Sequence, residues 1–157
     1  FKLAYEAPEL TLLHVPLVAN IPVNTNNDCK ISDKAVNILI FNGTNDQINP
    51  YEGGLVSMLG NESRGIVLSS EDTYSYWKNL ISIDKEDFYT FPNTDTYPNS
   101  YVTKKESSGS RVVALYSLVN GGHIYASPNV TYSPFFSGNV QDINTAEEIY
   151  SVFKSLN

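Results

Sequence analysis

Basic side chains are scarce in this sequence: 10 Lys and Arg stand against 17 Asp and Glu, giving a net charge of −7. Nucleic-acid binding draws on a basic face that displaces counterions from phosphates, and only Lys104-Lys105 forms a basic pair, so that function is excluded. Cysteine is nearly absent. Cys29 stands alone, which excludes an internal disulfide framework while leaving a partner outside the segment open. Two histidines, His14 and His123, lie far from Cys29 and from each other, so no zinc spacing exists and neither a metal nor another cofactor is expected. Apolar runs fall well short of the roughly 18 residues that a spanning helix needs, so no membrane partner is expected. The opening Phe1-Lys2-Leu3-Ala4-Tyr5-Glu6 lacks a secretory leader pattern and reads as the middle of a longer chain.

What is present is enough for one domain: 157 residues, 41% of them apolar. Val36 to Phe41 and Val112 to Leu118 are near-continuous apolar runs, the pattern of strands buried on both faces. A shorter strand is expected at 11–15, limited by Pro16, and a helical stretch at 2–7 stopped before Pro8. Ser69 to Ile81 has a capping start and a stripe of Tyr74, Trp77, Leu80 and Ile81. Residues 82–98 show no firm pattern. Tyr101–Lys105 and Arg111–Leu118 suggest a hairpin around 107–110. Thr145 with Glu148 makes a capping box for a final helix. The alternation predicts an α/β fold with a mostly parallel sheet, in one domain without repeats.

Two of these strands end in Gly-containing turns that carry chemistry. Asn42-Gly43-Thr44-Asn45-Asp46 follows the first, and Asn120-Gly121-Gly122-His123 follows the second. An acid and a histidine at the ends of two strands can meet, the acid fixing the imidazole tautomer and stabilising its protonated form. An Asp in such a turn also commonly bonds its own backbone, which is the plainer reading of Asp46. His14, in an apolar stretch, reads as a core or strand-end histidine.

The stretch from Ile38 through Asn42-Gly43-Thr44-Asn45-Asp46 to Pro50-Tyr51-Glu52-Gly53-Gly54 resembles a hallmark of the polyhydroxybutyrate depolymerase and feruloyl esterase family. That family carries an apolar strand followed by His-Gly-Thr-x-Asp-x-x-x-Pro-Tyr-x-Gly-Gly. The opening residues, Trp77 and Gly121-Gly122-His123 are similar to its other regions, so the resemblance spans nearly the whole chain. It implies the C-terminal portion of an α/β-hydrolase fold, with residues 55–110 as a lid-like insertion. It implies Asp46 as the triad acid, His123 as the general base, and Trp77 and Tyr125 as substrate contacts. Two departures stand out: Asn42 replaces the histidine of His-Gly-Thr, and Ile124-Tyr125 replaces the usual Thr-Trp.

The family's Gly-x-Ser-x-Gly nucleophile elbow is absent from these residues, and the resemblance places it upstream of Phe1. The expected function is therefore a serine carboxylic-ester hydrolase, depolymerase-like, whose triad Asp and His lie here. The segment alone is expected to be inactive, with the upstream half of the same protein as its partner and a small or polymeric ester as substrate. Self-association through an exposed sheet edge is a further expectation. The resemblance alone favours a secreted or periplasmic setting. The competing reading is a non-catalytic binding or interaction module on a degenerate hydrolase scaffold.

Overall fold

A computed structural model describes residues 1–30, 32–94, 96–97 and 99–157. A one-turn helix, α1 (Lys2–Glu6), stops ahead of Pro8 as expected. Strand β1 (Ile38–Gly43) is buried along its whole length. Two short strands, β2 (Gly54–Leu55) and β3 (Ile66–Val67), pair with each other. Helix α2 (Ser70–Lys78) is capped by Ser69, whose side chain accepts from Asp72 N–H. Strands β4 (Ile83–Thr90), β5 (Tyr101–Gly109) and β6 (Val112–Val119) follow, then helix α3 (Thr145–Ser155).

The main sheet has the order β1-β6-β5-β4. Only β1 and β6 run parallel; β5 pairs antiparallel with β6, and β4 antiparallel with β5. This corrects the expectation of a mostly parallel α/β-hydrolase sheet. The physical reason lies in the connections: Ser110 and Arg111 alone join β5 to β6, and so short a link permits only an antiparallel hairpin. The parallel pair instead has a long crossover, which contains α2 and the hairpin.

The segment at 11–15 does not form a regular strand. His14 and Leu17 make isolated parallel bridges to Ile38 and Phe41, and Leu39 N–H and Phe41 N–H donate to the carbonyls of His14 and Pro16. Pro16 has no N–H, and Val18 turns the chain away in the left-handed region at φ 48°.

Alternate residues of β1 and β6 feed two cores. Ile38, Ile40, Val113 and Leu115 pack with Tyr5 of α1 and Tyr74 and Trp77 of α2. Leu39, Phe41, Ala114, Tyr116 and Leu118 face the opposite way, against Ile124, Ala126, Val140, Ile143 and the Ile149–Val152 side of α3. Burial on both faces explains why these two strands lack polar alternation. In contrast, β4 is exposed at every residue. It is the outermost strand, and Asp84, Lys85, Glu86 and Asp87 guard its edge with charge. The 55–110 stretch, for which resemblance implies a lid, supplies β4 and β5 of the sheet and the helix packed on it.

The final helix begins one residue earlier than the capping box suggests. Asn144, not Thr145, is the cap: its side-chain oxygen accepts from Ala146 N–H, and its amide donates to Glu147. Glu148 instead accepts from the Tyr116 hydroxyl at 3.1 Å, tying α3 to the sheet.

Candidate active site

The parallel pairing of β1 with β6 brings their C-terminal turns side by side, and the turns are stitched together. Thr44 N–H donates to Leu118 O at 3.0 Å, Asn45 N–H to Gly121 O at 2.8 Å, and Asn120 N–H to the Thr44 hydroxyl at 2.9 Å. The approach is so close that a Cβ on Gly43 would lie 2.2 Å from Gly122 O. Glycine at 43 is therefore a packing requirement of the two turns.

This zipper places the two chemical side chains in contact. Asp46 Oδ2 lies 2.8 Å from His123 Nδ1. The Asp46 side chain is 1% exposed and the His123 side chain 27% exposed. The other carboxylate oxygen, Oδ1, accepts from Ile48 N–H at 2.8 Å and Asn49 N–H at 2.9 Å. The turn-forming role and the histidine-orienting role are thus both filled, one by each oxygen. Three nitrogen atoms thus converge on the buried carboxylate, two on one oxygen and one on the other. In the neutral tautomer that donates from Nδ1 to the acid, Nε2 carries the lone pair; Nε2 makes no hydrogen bond among the described residues.

The His123 backbone is held from a loop whose contribution the sequence did not disclose. His123 N–H donates to Phe136 O at 2.8 Å, and Gly122 N–H to Gly138 O at 3.4 Å. Gly122 leaves no room for a side chain, since a Cβ there would meet Phe136 O at 1.6 Å. The Gly-Gly-His spacing hinted at this crowding; nothing marked Phe136 and Gly138 as its partners, because those contacts are backbone to backbone.

Asn42 occupies the position where the resembling family has histidine. It is buried, and its side chain is fully employed: Oδ1 accepts from Ala19 N–H, while Nδ2 contacts Ala19 O, Asn20 Oδ1 and Ser70 Oγ. It clasps the chain leaving Val18 to the end of β1 and the start of α2.

Of the two residues that the resemblance implies as substrate contacts, only Tyr125 is near the pair and open. It follows His123 by two positions, is 45% exposed, and packs edge-on against Tyr132. Phe135, also exposed, extends this aromatic surface through Phe136. Trp77 is elsewhere. It is 1% exposed, stacked on Tyr5 and Phe1 in the core beneath α2, and closed to any ligand. A helix stripe buries its largest member first, and Trp77 is central to that stripe.

His14 is buried beside the Thr11 hydroxyl, and burial lowers its pKa below the ordinary 6.5. No group of three or more His, Cys, Asp or Glu side chains suited to a metal ion occurs among the described residues. Among those residues, no helix is long and apolar enough to cross a membrane.

No family model matches this chain, and no curated protein matches it. The geometry of the Asp46–His123 pair therefore carries the functional argument.

Proposed function

We propose that Asp46 and His123 are the acid and general base of a serine carboxylic-ester hydrolase whose nucleophile is supplied by residues outside this sequence. The observation that carries the reading is the 2.8 Å contact between a buried, doubly anchored carboxylate and a part-open imidazole whose Nε2 has no hydrogen-bond partner among the described residues. The order acid then histidine, and the resemblance of residues 38–54 to the depolymerase and feruloyl esterase family, support it.

In this reading the serine hydroxyl passes its proton to His123 Nε2 as Oγ attacks the ester carbonyl. Asp46 stabilises the imidazolium, which then protonates the departing alkoxide; water, deprotonated by the same nitrogen, releases the acid from the acyl-enzyme. The substrate is an ester of a hydroxyalkanoate or an aromatic acid, with Tyr125 against its apolar part.

The test is p-nitrophenyl ester turnover and active-site labelling with a fluorophosphonate, on the product of the complete reading frame. Turnover is expected, with a labelled serine outside these residues. Asp46→Asn should lower kcat by about ten-thousandfold, as loss of the correct tautomer does in serine-histidine-aspartate enzymes. A complete protein that neither labels nor turns over would overturn the proposal.

A further inference from the structure

A cavity of about 460 Å³ opens where the two turns meet the loop before β5 and the chain at 138–139. Neither Asp46 nor His123 lines it, but their neighbours do: Asn45 immediately precedes the acid, and Asn120 begins the turn to the histidine. Tyr97, Asn99, Ser100, Gly138 and Asn139 are the other described lining residues.

The chemistry of this lining is unusual in its uniformity. Four carboxamides converge, and no described lining residue is charged. Two are fixed by the fold. Asn120 Nδ2 donates to Asn99 O at 2.5 Å, and Asn139 is held by Tyr132 on both of its polar atoms. The Asn120 backbone also lies in the left-handed region at φ 57°. Among the described residues, no hydrogen bond holds the exposed Asn45 and Asn99 carboxamides or Asn120 Oδ1, which leaves donors and acceptors for a ligand.

A carboxamide offers two donors and an acceptor in one plane, which matches the paired donor and acceptor character of neighbouring hydroxyl groups. It gives nothing special to an anion or a cation, and the chain's net charge of −7 disfavours anions. Tyr97 adds an aromatic residue to this lining. The volume lies within the range of about 300–1,000 Å³ found for small-molecule sites. We infer that this cavity binds a neutral polyhydroxylated ligand, a saccharide unit. The inference stands on the pocket alone and is independent of whether the Asp46–His123 pair hydrolyses an ester.

The experiment is a titration of the 15N-labelled protein with xylobiose and with cellobiose, with hexane-1,6-diol as an apolar control. Saturable shifts confined to the amides around Asn45, Asn99 and Asn120 are expected from at least one disaccharide. The double variant Asn45→Ala/Asn99→Ala should bind it about tenfold more weakly, the loss expected of two hydrogen bonds. Both side chains are exposed and, among the described residues, make no hydrogen bond, so an unchanged thermal transition will show that the variant is folded. Three results would overturn the inference: no saturable shift with either sugar, equal binding by the double variant, or the same shifts with the diol. Esterase activity enters none of these outcomes, so the two proposals fail separately.

Discussion

Gly43 and Gly122 come from different strands, yet a Cβ on the first would lie 2.2 Å from the carbonyl oxygen of the second. That contact sets how closely the acid-bearing and histidine-bearing turns approach. Gly43→Ala should therefore separate the turns and cost about 3 kcal/mol, at the upper end of overpacking. Gly122→Ala should cost as much, because its Cβ meets Phe136 O. Gly60→Ala is the control: it meets nothing within 4 Å and bears only the strain of φ +77°. It should cost about 1 kcal/mol in urea unfolding.

Asp46 holds its turn and its histidine with different oxygens, so structure and chemistry are separable. Asp46→Ala leaves the buried N–H groups of Ile48 and Asn49 without acceptors and should destabilise by about 2–4 kcal/mol. Asp46→Asn keeps an oxygen for them and should cost clearly less, while lowering the proposed ester turnover about ten-thousandfold. Chemical denaturation of both variants beside an esterase assay checks this. Equal destabilisation by both would show that the Oδ1 contacts contribute little.

The cap of α3 distinguishes Asn144 from Thr145. Asn144→Ala should cost about 1 kcal/mol through loss of the bond to Ala146 N–H. Thr145→Val should be neutral or stabilising, because the buried Thr145 hydroxyl has no hydrogen-bond partner among the described residues. Thermal melts of the two variants check the order.

His14 predicts a pH dependence of stability. Burial lowers its folded-state pKa below 6.5, so the unfolded chain binds the proton more readily. Its contribution is complete above pH 6.5 and is lost as pH falls through that value towards the folded-state pKa. His14→Gln should flatten the stability profile in this window, measured by urea unfolding at a series of pH values. An unchanged slope would assign the dependence to other groups.

By itself the sequence determined the two strands buried on both faces and the strand-end residues Asp46 and His123. It also specified the helix at α2, because caps, apolar runs and turn glycines act locally. It did not determine the pairing of strands. The charged segment that becomes β4 carries no apolar period, and it is a strand because β5 lies beside it. The antiparallel half of the sheet follows from a two-residue connection closing at 110–111, not from the composition of the strands it joins. Trp77 was legible as part of a stripe, but only packing against Tyr5 and Phe1 showed that the stripe consumes it. The 2.8 Å contact of Asp46 with His123, and the four asparagines around one cavity, join residues far apart in the chain. Such contacts belong to tertiary structure because their geometry is set by the register between β1 and β6, which no local stretch of sequence encodes.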